Sequence, residues 1–428
     1  MNAPLNPSDT DLAAIMGDIG ARARSASATL AISTADQRTD ALRAMAVGLR
    51  GSIEDILAAN TIDMASARDK GLSLAMLDRL ELTPERIDGI ANGVVAISEF
   101  NDPIGEEIAR WTVPSGLDIA RVRTPLGVIG IIYESRPNVT ADAGALCVRT
   151  ANVCILRGGS ESTHSSEAIV DILRAALNTA GLPEDAIQKI PTTDRAAVGH
   201  LLSGLGGTVD VIIPRGGKSL TAKAQEEARV PVIGHLEGLV NMYVDGTMDA
   251  GKAAEIVLNA KLRRTGICGA LETLLIDQSA VETHLPIIAD TMIAAGCELR
   301  GDAAAREQVP AMSAATEDDW STEYLAPVLA VRVVDGVDAA IAHIAEFGSS
   351  HTEAILTEDA ETAETFFRQV DAGIILHNAS TQFADGGEFG MGAEIGIATG
   401  RVHARGPVGA EQLTLFKYIV RGSGQIRP

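Results

Sequence analysis

The sequence is poor in aromatic residues and in positive charge. Aromatic residues make up 3% of the 428-residue chain, so its cores must be built from Ala, Val, Ile and Leu, which suits buried parallel strands. Lysine and arginine number 35 against 57 acidic residues, which gives a formal charge of −22. A surface this acidic repels nucleic acid and anionic membranes, so we expect neither as a partner. A phosphate-bearing ligand would need local cations and backbone N–H donors.

Several sequence patterns with known chemistry are missing. The four cysteines contain no C-x-x-C pair and the eight histidines show no ligand spacing, so no metal site is predicted. Without a G-x-G-x-x-G turn or a G-x-S-x-G motif, neither a standard dinucleotide-binding turn nor Ser-His-Asp hydrolysis is supported. The sequence also has no run of about 18 apolar residues and no signal-peptide pattern at its N-terminus. Few cysteines in a long chain favour a reducing compartment, and we expect the cytoplasm.

Hydrophobic periodicity divides the chain into regions. The first hundred residues show the apolar spacing of helices, and residues 106–124 predict a hairpin that turns at Pro114–Gly116. From Gly127 onward, strand-like runs alternate with helical stretches, which indicates βαβ units and parallel sheets. We therefore predict two α/β domains in series, joined near His235–Ala250. The last segment, Leu413–Pro428, predicts an isolated strand that pairs with the hairpin or with another subunit.

Two glycine-rich turns, each between a predicted strand and a predicted helix, carry basic residues. The first is Arg157-Gly-Gly-Ser-Glu, after Val153–Leu156, and the second is Arg215-Gly-Gly-Lys-Ser, after Val209–Ile213. A further strand is predicted at Val230–Ile233. Ligands bind at the carboxyl ends of parallel strands, and helix N-termini favour phosphate. Either turn alone is also explained by the backbone freedom of glycine, but the pair favours a phosphate site.

Cys268 stands between Gly266 and Gly269 in a predicted loop that connects a helix to a strand. Flanking glycines allow a substrate to approach the sulfur, and backbone N–H groups nearby can hold a thiolate and then an oxyanion. The alternative is a small buried apolar residue, the usual state of a cysteine. Cys147 and Cys154, inside a predicted helix and strand, match that alternative. The loop setting favours a reactive role for Cys268.

Further motifs extend the pattern along nearly the whole chain. Taken in order with the two Arg-Gly-Gly turns and the Cys268 loop, they resemble the gamma-glutamyl phosphate reductases, a branch of the aldehyde dehydrogenase superfamily. No single motif is specific, but their ordered combination is. The additional stretches are Pro125–Gly130, Tyr133–Thr140, Thr322–Leu325, Gly348–Ile355, His377–Thr381 and Asp385–Pro407.

This resemblance implies an aldehyde-dehydrogenase-like α/β fold with two α/β domains, parallel-type sheets and a small β-flap for oligomerisation. An NADP(H)-binding domain is expected over residues 1–240, with 106–124 as part of the flap. A catalytic cysteine domain would follow over 241–395, and a return segment with an oligomerisation strand over 396–428. The expected assembly is a homo-oligomer. Because the match begins close to Met1, we expect a separate glutamate 5-kinase chain in transient contact, rather than a fused one.

The resemblance also implies an activity. It is the NADPH-dependent reduction of L-glutamyl 5-phosphate to L-glutamate 5-semialdehyde, the second step of proline biosynthesis from glutamate, through a thioester on Cys268. Asn138 would donate its amide to the oxyanion, and Glu323 would hold the nicotinamide ribose. Arg136 and Arg405 are candidates for the substrate carboxylate. The residues implied for the adenosine end and the phosphates of the cofactor are Arg157, Ser160, Glu161, Arg215, Gly216, Gly217, Lys218 and Ser219.

Some positions depart from the pattern or leave roles open. Gly269 stands where the family pattern has Asn, and Asn241 stands where it has His. Whether His235 or Glu237 takes part in proton transfer is left open. Arg157 would also suit a 2′-phosphate, hence NADPH over NADH. The segment His235–Leu239 lacks the E-L-G-G-K stretch of hydrolytic aldehyde dehydrogenases. Its absence favours phosphate over water as the acyl acceptor. The alternatives are another acylating or hydrolytic aldehyde dehydrogenase, or an inactive member retained for binding.

Overall fold

The structure, a computed structural model, describes residues 9–134 and 136–427. The expectation about the extreme N-terminus and one position of the Tyr133–Thr140 motif, Ser135, fall outside these residues. None of the helices in the described ranges is both long and apolar enough to cross a membrane. The described chain packs into two compact units. The first comprises residues 9–234, Met391–Gly396 and 408–427, and the second comprises His235–Gly390 and Ile397–Pro407.

A run of amphipathic helices opens the first unit. The second helix begins after Thr34, whose side chain accepts a hydrogen bond from the Gln37 N–H while the Gln37 side chain accepts from the Thr34 N–H. Its buried stripe includes Leu42, Met45 and Leu49, spaced as the sequence predicts. The helices of this unit are α1 (Asp9–Leu30), α2 (Ala35–Gly51), α3 (Ile53–Asp69), α4 (Leu74–Leu80), α5 (Pro84–Glu99), α6 (Pro137–Arg149), α7 (Thr163–Thr179), α8 (Ala196–Leu202) and α9 (Lys218–Glu227).

A four-stranded parallel sheet and a three-stranded antiparallel sheet complete the first unit. The parallel sheet has the order β5-β4-β3-β6, and its strands β3 and β4 are buried throughout. The prediction of a strand at Val230–Ile233 is wrong, because only a single bridge, Ile212 to Val232, forms there. The strands are β1 (Glu107–Thr112), β2 (Asp118–Pro125), β3 (Val128–Tyr133), β4 (Val153–Arg157), β5 (Ile187–Lys189), β6 (Val211–Arg215) and, at the far end of the chain, β16 (Thr414–Arg421).

The C-terminal strand pairs with the hairpin of its own chain. β16 runs antiparallel to β2 from Thr414 opposite Pro125 to Arg421 opposite Asp118, and β2 pairs in turn with β1. The apolar side chains of Trp111, Phe416, Tyr418 and Val420 remain substantially exposed on this sheet. The sheet therefore presents apolar surface that the rest of its unit does not cover.

The second unit is built on a seven-stranded parallel sheet of order β10-β9-β11-β8-β7-β12-β13. The chain passes from the first unit to the second between Gly234 and His235, near the predicted join, but Val240–Val244 in that region forms the fully buried strand β7 between β8 and β12. With parallel sheets in both units, the predicted α/β class is confirmed. In chain order the elements are β7, α10 (Ala250–Leu262), β8 (Leu271–Asp277), α11 (Leu285–Ala294), β9 (Glu298–Gly301), α12 (Ala303–Gln308), β10 (Ser313–Ala314), β11 (Val328–Val334), α13 (Gly336–Phe347), β12 (Thr352–Leu356), α14 (Ala360–Gln369), β13 (Ile374–His377), β14 (Ile397–Ala398) and β15 (Gly406–Pro407).

Candidate active site

Cys268 lies in the turn between α10 and β8, with the backbone of Gly238 packed directly against it. A Cβ built on Gly238 would lie 2.1 Å from the Cys268 carbonyl oxygen and 2.9 Å from its Cα, so this position admits only glycine without a backbone shift. On the other side, a Cβ on Gly269 would come within 3.2 Å of the Thr381 carbonyl oxygen. The turn is thus held between two neighbouring backbone segments. Such packing fixes the position of the sulfur more firmly than an exposed loop would.

The four cysteines differ in access and in environment. Cys147, Cys154 and Cys297 are buried, as expected for the first two, whereas Cys268 is half-buried. The hydrogen-bonded contact with Cys154, together with burial, raises the pKa of Cys147 well above its ordinary range. Burial raises the pKa of Cys297 to about 11. Since the thiolate is the nucleophile, these two thiols are poorly suited to attack, and Cys268 is the accessible one.

Two histidines approach the thiol of Cys268. One ring nitrogen of His235, one of His351 and the Cys268 Sγ all lie within 4.8 Å of one another. The two imidazole rings meet edge to face, with their centroids 4.6 Å apart. His235 Nδ1 donates to the carbonyl oxygen of Ile397 at 2.7 Å. His351 is fully buried, with Nδ1 at 2.9 Å from the Thr352 hydroxyl. Sequence reasoning left the role of His235 open and missed His351.

The three residues meet because of the sheet order. They precede three adjacent parallel strands: His235 precedes β7, Cys268 precedes β8 and His351 immediately precedes β12. The group therefore lies at the amino ends of these strands, opposite to the edge where ligands usually bind in open α/β sheets. Knowledge of the order β8-β7-β12 would have revealed the group, but no local spacing in the sequence does.

Glu323 belongs to the same unit and reaches the cysteine turn through Gly238. Its Oε1 accepts a hydrogen bond of 3.0 Å from the Gly238 N–H. Close by in sequence, the Leu325 N–H donates to Glu272, which also forms a buried 2.5 Å ion pair with Lys261. Burial raises the pKa of Glu272 to about 7 and lowers that of Lys261, while their mutual attraction opposes both shifts. No local pattern in the sequence indicates this ion pair.

Asn241, one of the departures from the family pattern, lies inside the second unit. Its backbone N–H and its Nδ2 both donate to Glu353 Oε2 at 3.0 Å, and both residues are buried. Burial raises the pKa of Glu353 well above its ordinary range, against the effect of these two bonds. The Asn241 side chain is thus hydrogen-bonded within the core to the buried Glu353 carboxyl group.

In the first unit, the Arg215–Ser219 turn exposes its backbone at the start of α9. The Gly217 N–H donates to Glu134 Oε2 at 2.9 Å, and α9 has no side-chain cap at this end. The residues from Gly216 to Ser219 are exposed. The Gly217 N–H, a backbone donor of the kind that binds phosphate, is therefore already hydrogen-bonded to a carboxylate oxygen.

The Arg157 turn is arranged differently. The Arg157 guanidinium points into the protein, where Nη1 donates to the Gly158 carbonyl and Nη2 donates to the Thr193 carbonyl at 2.9 Å. Glu161 folds back onto the turn, so that a Cβ on Gly159 would lie 2.0 Å from its Oε1. Ser160 is exposed. The outer surface of this turn is therefore formed by backbone, serine and carboxylate rather than by Arg157.

Asn138 lies in the first turn of α6, where its Nδ2 donates to Asp142 at 3.0 Å. Burial raises the pKa of Asp142 to about 6, while this bond and the charge of Arg215 oppose the shift.

The two arginines that are candidates for the substrate carboxylate lie in different units. Arg136 stands immediately before α6 in the first unit. Arg405 lies in the second unit and is paired with Asp371, whose pKa it lowers. The structure thus gathers Cys268 and Glu323 around Gly238, and it places the two candidate arginines in different units.

Comparisons with known proteins agree with this architecture. The chain matches the aldehyde dehydrogenase family over residues 13–303 and 310–393. It is 59% identical to a gamma-glutamyl phosphate reductase of Parvibaculum lavamentivorans over 99% of this chain and 100% of that one. It is 60% identical to a protein of the same name from Caulobacter vibrioides over 96% of this chain and 100% of that one.

A solved structure gives the same result for the fold. The crystal structure of gamma-glutamyl phosphate reductase from Thermotoga maritima superimposes with a TM-score of 0.94 at 41% identity, over 96% of this chain and 100% of that one. The predicted aldehyde-dehydrogenase-like fold and the family resemblance are both confirmed. The chain belongs to the aldehyde dehydrogenase family and, within it, to the gamma-glutamyl phosphate reductases, also called glutamate-5-semialdehyde dehydrogenases.

Proposed function

We propose that this enzyme reduces L-glutamyl 5-phosphate to L-glutamate 5-semialdehyde with NADPH and releases phosphate, through a thioester on Cys268. This is the second step of proline synthesis from glutamate. The observation that carries the proposal is the setting of Cys268, a half-buried thiol held by close backbone packing in a chain whose full-length relatives are gamma-glutamyl phosphate reductases. The name of those relatives supplies both the acyl phosphate and the direction of the reaction.

The Cys268 thiolate attacks the acyl carbon, the C–S bond forms, and the C–O bond to phosphate breaks. A covalent nucleophile divides one difficult reduction into two easier steps. The backbone N–H of Cys268 and the side-chain amide of Asn138 would donate to the developing oxyanion. One such donor contributes about 3 kcal/mol in comparable sites. When the thioester is reduced, the electron pair of the C–S bond returns to sulfur and regenerates the thiolate.

A bound nicotinamide dinucleotide would supply the hydride for that reduction. The Arg215–Ser219 turn suits its phosphates, because the Gly217 N–H already accommodates a carboxylate oxygen and the exposed turn includes Lys218. Ser160 and Glu161 would serve the adenosine end, and Glu323 the nicotinamide ribose. The preference for NADPH rests on Arg157, which would have to release a backbone carbonyl to reach a 2′-phosphate.

The acyl acceptor distinguishes this function from a second candidate, a hydrolytic aldehyde dehydrogenase. Two imidazoles near Cys268 are the observation that favours the second candidate, since a neutral histidine can activate water. Phosphate release requires no such base, because phosphate is a good leaving group. Oxidation of glutamate 5-semialdehyde with NADP⁺ should therefore depend on added phosphate or arsenate; equal rates without either would identify the hydrolytic enzyme.

The exposed face of the β1-β2-β16 sheet supports assembly into a homo-oligomer. Trp111 and Tyr418 meet edge to face at 6.1 Å and remain exposed beside Phe416 and Val420. Apolar patches of this kind commonly mark contacts between proteins. We infer that this sheet is the oligomerisation flap. Contact with a glutamate 5-kinase stays a prediction from the lability of the acyl phosphate.

The decisive test of the nucleophile is Cys268→Ser, assayed with NADP⁺, phosphate and glutamate 5-semialdehyde. We expect kcat to fall by at least about 1000-fold, as for other covalent nucleophiles. Cys297→Ser is the matched control, because that thiol is buried and should leave kcat within about twofold. A Cys268→Ser enzyme that retains a tenth of the wild-type rate would remove Cys268 from the mechanism.

A further inference from the structure

We propose that His235, Cys268 and His351 form a binding site for a divalent transition metal of the zinc type, and that its occupancy reversibly blocks the enzyme. The inhibitory part rests on the proposed function, because it assumes that Cys268 is the nucleophile. The binding part does not, since it depends only on three donor atoms of the second unit.

The donor set selects the metal. One thiolate and two imidazoles are ligands of zinc, whereas magnesium and calcium require oxygen. The three donor atoms lie within 4.8 Å of one another. In a tetrahedral zinc site, with a Zn–S distance of about 2.3 Å and Zn–N distances of about 2.0–2.1 Å, donors are about 3.3–3.6 Å apart. The group therefore needs to contract by at most about 1.5 Å, a movement that rotation of the half-buried Cys268 side chain about its Cα–Cβ bond can supply while the packed backbone of the turn stays in place.

An unsatisfied buried nitrogen provides a second, independent indication. His351 is fully buried, and within the described part of the chain its Nε2 has no hydrogen-bond partner, although Nδ1 meets the Thr352 hydroxyl. Buried polar atoms are rarely left without a partner, so an unpaired ring nitrogen calls for a ligand. A metal ion bound by Cys268 and His235 would satisfy it.

His235 has the outer contact that metal-binding histidines typically show. Its Nδ1 donates to the Ile397 carbonyl at 2.7 Å, which places the ring proton on Nδ1, so that Nε2 would be the metal-binding nitrogen. A bond of this kind orients the ring and increases its basicity. With Ile397 behind His235 and Thr352 behind His351, both imidazoles are held from outside the group.

Binding would consume the nucleophile. The Cys268 thiol loses its proton to solvent, the sulfur donates an electron pair to the metal, and a water molecule completes the fourth position. That electron pair is then unavailable to attack an acyl carbon. A chelator would remove the metal, and the sulfur would take its proton back from solvent, so the thiol is restored.

The test uses Co²⁺ as an optical probe of thiolate ligation, on tag-free full-length enzyme without substrate or cofactor. We expect one Co²⁺ per chain with a thiolate-to-cobalt charge-transfer band, and displacement of Co²⁺ by Zn²⁺ with loss of the band. Cys268→Ser should abolish the band. His351→Gln should weaken Co²⁺ binding by at least about tenfold, because the loss of even an outer-shell partner of a metal ligand costs about 10–100-fold in affinity. The controls Cys297→Ser and His343→Gln, in the same unit but outside the group, should bind like wild type.

Two results would overturn the proposal: a charge-transfer band that survives in Cys268→Ser, or His351→Gln affinity equal to wild type. Alkylation of Cys268 by iodoacetamide provides a second measurement, and Zn²⁺ should slow it at least about tenfold in wild type but not in His351→Gln. Failure of the proposed function would leave these results unchanged. An enzyme that binds Co²⁺ through Cys268 but keeps full activity when saturated would retain the site and reject the inhibition.

Discussion

Two glycine-dependent regions of the molecule use glycine for opposite reasons. At the cysteine turn, Gly238 lets one backbone segment lie against another, and a Cβ there would collide with Cys268. At the phosphate turn, Gly217 belongs to an exposed backbone whose N–H binds a carboxylate oxygen. In the first region, close packing fixes the position of the nucleophile. In the second, accessible N–H donors bind the ligand. Substitutions should therefore harm folding and turnover at the first, and only ligand affinity at the second.

Among substitutions that keep the Cys268 nucleophile, the largest effect is expected for Gly238→Ala. The new methyl group must displace the Cys268 backbone, at a cost of about 1–3 kcal/mol in the free energy of unfolding. A displacement of the nucleophile by about 1 Å should lower kcat by about 100-fold. Urea denaturation and steady-state kinetics measure the two effects. Gly400→Ala is the matched control in the same unit, because a Cβ at Gly400 meets nothing within 4 Å. Wild-type values for Gly238→Ala would refute the packing argument.

A smaller effect separates two possible uses of Glu323. Glu323→Gln keeps an acceptor for the Gly238 N–H but loses the charge, whereas Glu323→Ala loses both. Leaving the Gly238 N–H without its partner costs about 1–3 kcal/mol. We expect Glu323→Gln to raise KM for NADPH about fivefold at unchanged kcat, and Glu323→Ala to lower kcat about tenfold as well. Equal kcat in the two variants would leave Glu323 with ribose binding alone.

The difference between the two regions also explains what could be predicted from the sequence. The Arg-Gly-Gly turns are local features: a buried strand, a glycine pair and a helix are contiguous, and the structure places both turns after β4 and β6 as expected. Which side chains and donors those turns expose, however, depends on contacts with distant parts of the chain. Arg157 folds inward onto Thr193, and Glu134 reaches across to Gly217, through contacts between segments far apart in sequence.

The histidine group shows the same limit more strongly. The Cys268 turn was identified from its flanking glycines, but His351 stands 83 positions away and His235 33 positions away on the other side. Only the order β8-β7-β12 brings them together, and that order is a property of the sheet. The missed strand β7 hides the connection further, because the polar Asn241 interrupts the apolar residues of Val240–Val244. Local patterns indicated the α/β class, and the family resemblance added the aldehyde-dehydrogenase-like fold within that class.

The smallest predicted effect lies at the phosphate turn. In Glu134→Gln the amide oxygen can still accept from the Gly217 N–H, but the negative charge that competes with a phosphate is removed. Two charges about 4 Å apart interact by about 1 kcal/mol in water, so KM for NADPH should fall about fivefold while stability stays unchanged. Glu226→Gln, an exposed change of equal charge on α9, is the control and should leave KM within about twofold. The difference between the two variants should shrink as salt is raised, because exposed charges are screened. A rise in KM for Glu134→Gln would mean instead that the carboxylate holds the turn in its binding shape, and the phosphate turn would then depend on fixed contacts as the cysteine turn does.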